Sequence, residues 1–143
     1  LRFLSHETKD IQIDVQLPDD FAVRGNHNKL VQVLVNLFQN SIDALKSRPE
    51  NPEPPRLEIR SVETGKHRCL IIRDNGPGMN EEIQIKMFDP FFTTKDVGQG
   101  MGLGLSICYR IIEEHSGRIL VNSEPGRFCE FTLEFPIEVP HSA

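Results

Sequence analysis

The chain has 143 residues, of which 38% are hydrophobic, enough for one ordinary globular domain with a real core. Its net charge of −5 argues against a nucleic-acid partner, because neutralising phosphates requires clustered Lys and Arg. No stretch reaches the roughly 18 apolar residues of a membrane span, and no secretory signal opens the chain, so a cytoplasmic domain without membrane contact is expected.

The opening "LRFLSHETKD" is abrupt, as in a piece of a longer parent, and residues 1–9 read as the tail of a preceding helical element. "IQIDVQL" (11–17) alternates Ile11, Ile13, Val15 and Leu17 with polar residues, the period of a half-buried strand. After Gly25, Asn26 or Asn28 is suited to cap a long helix whose apolar positions include Leu30, Leu34 and Phe38. Four prolines in "SRPENPEPPR" (47–56) end that helix in an exposed loop. "RLEIRSVE" and "HRCLIIRD" predict a hairpin joined near Thr64-Gly65, followed by a short helix around "NEEIQIKMF". A last helix runs to about His115, with Gly117 suited to the position just past its end. "RILVNSEPGRFCEFTLEFP" predicts two strands around a Pro125-Gly126 turn. Cys69, Cys108 and Cys129 are far apart in apolar settings with no paired ligand spacing, and they read as small buried hydrophobes.

Three stretches go beyond fold. On the first long helix Gln32, Asn36, Asn40, Asp43 and Ser47 fall within a sector of about 80°. Such a stripe is either an ordinary solvent-facing edge or a set of side-chain oxygens and amides for a metal and phosphate. "LIIRDNGPGM" ends an apolar strand in Asp74-Asn75-Gly76-Pro77-Gly78, either a plain turn or a carboxylate placed to accept from an exocyclic amine beside glycines that admit a flat ligand. "FDPFFTTKDVGQGMGLGL" joins an aromatic cluster to a glycine run that leads into a helix. Bare N–H groups at a helix start cradle phosphate oxygens, and glycines at the base of a segment let it close over a ligand.

Together "NLFQNSIDAL", "DNGPGM", "FDPFFTTK" and "GQGMGLGL" resemble, in order, the N, G1, F and G2 boxes of the catalytic ATP-binding domain of bacterial sensor histidine kinases. That domain belongs to the ATPase superfamily shared with DNA gyrase, MutL and the heat-shock chaperones. The resemblance covers nearly the whole chain and implies a single domain over 1–143. The implied fold is an α+β, two-layer α/β sandwich, a mixed sheet of about five strands with about three helices on one face. It implies Mg²⁺ on Asn40, with Asn36 and Asp43 supporting from the same face. Asp74 is implied as the adenine reader, with Gly76, Gly78 and Met79 at the pocket floor. A lid is implied over 93–101, with Phe88, Phe91 and Phe92 at its base. Thr93 and Thr94 are implied as nucleotide contacts, and Lys95 as a phosphate contact. Gly100, Met101, Gly102, Leu103, Gly104 and Leu105 are implied around the phosphates.

The implied function is transfer of the γ-phosphoryl group of Mg-ATP to a histidine in two-component signalling. The acceptor is implied on a separate dimerisation domain of the same parent, with a response regulator as the further partner and this piece monomeric. Superfamily hydrolases carry a glutamate base one turn before the Mg²⁺ asparagine. Asn36 stands there in this chain and cannot take a proton from water, so a hydrolysing machine is disfavoured. A binding module without chemistry is the third class, and the intact boxes argue against it. His6 precedes Glu7 as in the acceptor motif, but the motif's later residues and its two long helices are missing. His27, His67, His115 and His141 have no better claim. Many relatives carry a Gly-Thr pair entering the last strand, where this chain has Phe128-Cys129.

Overall fold

The computed structural model describes residues 10–47, 53–86 and 101–137, with backbone alone for 101–104. The elements in chain order are β1 (Gln12–Gln16), α1 (His27–Ser47), β2 (Arg56–Glu63), β3 (His67–Asp74), α2 (Glu81–Lys86), α3 (Met101–Glu114), β4 (Arg118–Glu124) and β5 (Phe128–Pro136). The five strands form one sheet in the order β1-β2-β3-β5-β4. β1 pairs parallel with β2 and every other pairing is antiparallel, so the sheet is mixed as expected.

The period of two along the strands sorts the sheet into two faces. Leu57, Ile59, Leu70, Ile72, Phe131 and Leu133 point to one face and are buried with Val33, Leu37 and Ile42 of α1 and Cys108, Ile111 and Ile112 of α3. The opposite face is charged, and there Glu130 pairs with Arg73 at 3.3 Å and with Arg60 at 3.9 Å. The three cysteines are free and buried; desolvation holds the Cys108 thiol up at about 11 and, with the Asp74 charge next in weight, the Cys129 thiol at about 12.

The caps follow local chemistry. Asn26, rather than Asn28, caps α1: its Oδ1 accepts the Lys29 amide at 3.0 Å and its carbonyl accepts the Leu30 amide at 2.9 Å. Asn80 does the same for α2, accepting the Ile83 amide at 2.9 Å. The C-terminus of α3 corrects the expectation for Gly117. The residue in the left-handed conformation is Ser116, with φ of 60°. The Ser116 amide donates to the Glu113 carbonyl and the Gly117 amide to the Ile112 carbonyl, both at 2.9 Å, which is the Schellman arrangement with serine at the left-handed position. Gly117 is required for a different reason: a Cβ there would lie 2.5 Å from the Glu134 carbonyl oxygen of β5.

The two ends of the helical layer are latched together. His115 Nδ1 lies 2.7 Å from the Ile111 carbonyl, and its Nε2 accepts the Asn26 amide at 3.0 Å. One ring nitrogen donates and the other accepts, which fixes the neutral tautomer with the proton on Nδ1. Lys29 and Glu114 pair across the same junction at 3.0 Å. Gly25 leaves room for the imidazole, which a Cβ would strike.

Opposite effects are expected from the two neighbouring residues after α3. Ser116→Gly relieves the left-handed serine and raises unfolding stability by about 0.5–1 kcal/mol, whereas Gly117→Ala forces β5 and α3 apart and lowers it by about 1–3 kcal/mol, both read from urea unfolding midpoints.

Candidate nucleotide site

Asp74 is the last residue of β3, the central strand, and stands on the helix-covered face opposite Leu57 and Cys129. It is only 2% exposed. Its neighbour Arg73 stands on the other face, where the guanidinium pairs with Glu130 and lies 3.9 Å over the Phe128 ring. The period of the strand thus separates the buried carboxylate from the nearest cation. Among the described residues one hydrogen bond answers it directly: the Gly76 amide donates to Oδ1 at 2.9 Å. The Ser41 hydroxyl lies near, without a hydrogen bond of good geometry. Burial therefore pushes the Asp74 carboxyl up to about 6, and the Gly76 amide, Ser41 and the more distant Arg73 only partly offset it.

The turn after Asp74 is pressed onto its surroundings. A Cβ on Gly76 would sit 2.8 Å from the Asp74 carboxylate and 3.3 Å from Ala44 of α1. Gly78 has φ of 67°, and a Cβ there would strike the Glu124 carbonyl and lie 2.7 Å from that of Phe128. The turn therefore needs Gly78 for its own backbone and for its seat against the β4–β5 turn. Met79 packs against the edge of the core.

On α1 the stripe divides. Gln32 and Ser47, at its ends, are exposed, while Asn36, Asn40 and Asp43 are half-buried. Asn36 reaches the Cys108 thiol of α3. Asp43 Oδ1 accepts from the Gln39 amide at 3.0 Å. Asn40 Nδ2 is buried with no hydrogen-bond partner among the described residues, as is the Ser41 hydroxyl one residue on. Buried donors are rarely left unanswered in a folded protein, since an unmade hydrogen bond costs about 1–3 kcal/mol. Two such atoms on adjacent residues beside Asp74 mark a place built for a polar ligand.

Leu105 is buried in the core cluster. Met101, Gly102, Leu103 and Gly104 lie in the first turn of α3, whose backbone alone is described. Phe88, Phe91, Phe92, Thr93, Thr94, Lys95 and Gly100, with the expected lid, lie outside the described residues, as do His6 and His141. Among the described residues no group of three His, Cys, Asp or Glu side chains is placed to hold a metal.

A cavity of about 130 Å³ adjoins Asp74, lined also by Glu53, Arg56, Glu58, Arg73 and Asn75. A larger cavity of about 360 Å³ lies at the far end, beside Arg68, His115 and Phe135. Two of its polar side chains are already engaged, Arg68 with Glu63 and the Ala22 carbonyl and His115 with Asn26 and Ile111. Ser123 and Gln84, which hold the turn after Asp74, were not singled out by sequence. Their contacts span 44 and 39 residues and leave no local pattern.

Over residues 25–139 the chain matches the family described as histidine kinase-, DNA gyrase B-, and HSP90-like ATPase. It is 33% identical over 120 residues to sporulation kinase C of Bacillus subtilis, covering 84% of this chain and 26% of that protein. It is 39% identical over 139 residues to the autoinducer 1 sensor kinase/phosphatase LuxN of Vibrio campbellii, covering 95% of this chain and 16% of that protein. The chain thus spans 26% and 16% of the length of these two relatives. Among solved structures, the nucleotide-free catalytic domain of histidine kinase ThkA superimposes with a TM-score of 0.78 at 31% identity, over 94% of this chain and 87% of that one. Among the described residues no helix is long and apolar enough to cross a membrane.

The raised Asp74 gives a signed pH dependence. The folded state keeps its proton to about pH 6, whereas the unfolded chain releases it near 3.8, the ordinary aspartate value. The unfolded state thus binds fewer protons between those values, and stability falls as pH rises from about 4 to about 6 and is flat from this group above that. The loss is on the order of 3 kcal/mol. Asp74→Asn is expected to lack this slope, so its ligand-free stability relative to the unmodified chain rises across that window in denaturant titrations at pH 4, 5, 6 and 7.

Proposed function

From the premise that the chain belongs to the histidine kinase-, DNA gyrase B-, and HSP90-like ATPase family, as an ATP-binding domain of the sensor histidine kinase kind, we propose that it binds Mg-ATP and delivers the γ-phosphoryl group to a histidine on a separate domain of its parent protein. The observation that carries this reading is Asp74: a carboxylate buried at the end of the central strand, oriented by one amide and separated from its neighbouring cation. Such a group gains most from a ligand that brings a hydrogen-bond donor, and the exocyclic amine of adenine is one.

Asn40 fits the role of Mg²⁺ ligand: its amide offers a hard oxygen at one end, and its buried Nδ2 is an unanswered donor suited to a phosphate oxygen. Bound there, the cation would screen the charge of the triphosphate. Asp43 and Gln39 hold each other one turn on and stiffen that face of α1. The backbone N–H groups at the start of α3, from Met101 to Gly104, would receive the phosphates, with Gly100, Lys95, Thr93 and Thr94 contributing from the lid. Phe88, Leu103 and Leu105 would form its apolar border.

Asn36 supports transfer over hydrolysis. At the position where a general base would serve, this chain has an amide directed at the Cys108 thiol. The nucleophile must then come from outside, as a histidine on the parent's dimerisation domain, with a response regulator accepting the phosphoryl group in turn. The chain itself would act as a monomer in the cytoplasm.

Calorimetric titration of Mg-ATP is expected to show saturable binding that weakens by roughly 10- to 100-fold in Asp74→Asn. Binding should also weaken as pH falls below about 6, because a protonated Asp74 no longer presents two accepting oxygens. Mixed with ATP and a histidine-bearing hairpin domain of a related kinase, the chain should label the hairpin, and Asn40→Ala should abolish the label. Saturation unaffected by Asp74→Asn, or steady phosphate release by the chain alone, would overturn the reading.

A further inference from the structure

The segment that follows Asp74 is anchored residue by residue to the β4–β5 end of the sheet. The Gly76 amide orients the Asp74 carboxylate. The Pro77 carbonyl accepts the Gly126 amide at 2.6 Å. Gly78 lies against the carbonyls of Glu124 and Phe128, too close for a Cβ. The Met79 amide donates to Ser123 Oγ at 2.8 Å, and the Met79 carbonyl accepts from Gln84 Nε2 at 2.9 Å. Gln84 also reaches the Ser123 carbonyl at 3.0 Å, tying α2 to β4.

Ser123 is the node of this set. Its hydroxyl accepts from Met79 and donates to the Phe128 carbonyl at 2.8 Å. Phe128 precedes Cys129, the residue paired with Asp74 across the sheet. A closed circuit therefore runs from Asp74 through Gly76 to Met79, across Ser123 to the start of β5, and back to Asp74. Only a side chain that both accepts and donates one bond from its Cβ substituent closes it. Ser123 is 8% exposed, so water does not readily replace the hydroxyl.

We propose that Ser123, braced by Gln84, is a positioning residue that holds the Gly76–Met79 segment and the Asp74 carboxylate in the alignment that selects adenine over guanine. The inference rests on the nucleotide reading above. Adenine presents an amine where guanine presents a carbonyl oxygen, so a carboxylate held in place welcomes one and repels the other. With the segment loosened, the bond to adenine weakens and little is lost with guanine.

The test is competition binding of Mg-ATP and Mg-GTP to the chain and to Ser123→Ala, Ser123→Thr and Gln84→Ala, with ligand-free thermal midpoints recorded alongside. Ser123→Ala is expected to weaken ATP about tenfold and leave GTP unchanged, shrinking the preference by the same factor. Gln84→Ala shifts the preference in the same direction, and Ser123→Thr restores it. ATP affinity unchanged in both alanine variants overturns the proposal. Equal weakening of both nucleotides with a lowered midpoint also overturns it, since that is a merely structural role. If Ser123→Ala does not fold, Gln84→Ala decides. Failure of the nucleotide reading is distinct, because it shows as absence of ATP saturation in the unmodified chain.

Discussion

A carboxylate that cannot reach water governs much of this molecule. Asp74 ends the central strand on the face that carries the hydrophobic core, and the two-residue period of β3 sends its neighbour Arg73 to the opposite face. Burying a charge without a paired cation is unfavourable, and here one backbone amide is the principal compensation. The Asn75-Gly76-Pro77-Gly78 turn exists in a form that delivers that amide. Its second glycine is left-handed and lies on the β4–β5 turn, and the next residue, Met79, is tied to Ser123. The ligand-free chain thus holds an unfavourable group in a defined place, which is the physical signature of a site that a ligand completes.

The helical layer sets where the other half of that site stands. α1 carries Asn36, Asn40 and Asp43, and α3 opens with the glycine run, so the geometry of any bound triphosphate depends on how these helices sit together. Besides the shared apolar core and the Lys29–Glu114 pair, two contacts hold them. Midway, Cys108 packs against Val33 and Asn36; at the far end, His115 takes the Asn26 amide that starts α1. The second contact requires an imidazole without a proton on Nε2. It also requires a residue without a side chain at Gly25, so a capping asparagine, a glycine and a histidine 89 residues beyond Asn26 form one joint.

What was legible in the sequence follows the range of the interactions. Strand alternation, a capping asparagine before α1 and the Asp74 turn are written in neighbours, and each was found where expected, whereas most of the proline-rich stop lies outside the described residues. The sandwich itself followed from the order of the boxes. Gly117 was misassigned because two physical demands select glycine. One is a left-handed backbone, which can be read locally; the other is close approach of a distant strand, which cannot. Ser116 took the first role and Gly117 the second. The polar stripe on α1 was ambiguous for the same reason: periodicity puts five residues on one side but does not say which of them the sheet and α3 enclose. Ser123, Gln84 and Ser41 had no local signal at all, being ordinary polar residues made important by what the fold brings opposite them.

The Asn36 position ties the chemistry to the packing. A glutamate there would have to be accommodated beside the Cys108 thiol in a half-buried junction between α1 and α3, where a carboxylate meets desolvation. An amide fits at little cost, because it accepts or donates without a charge. On the proposed reading, the residue that suits the α1–α3 contact is the same residue that withholds a base from water. Stable packing of the nucleotide-holding helices and protection of bound ATP from hydrolysis then come from one side chain, and the domain can hold ATP until a partner brings the nucleophile.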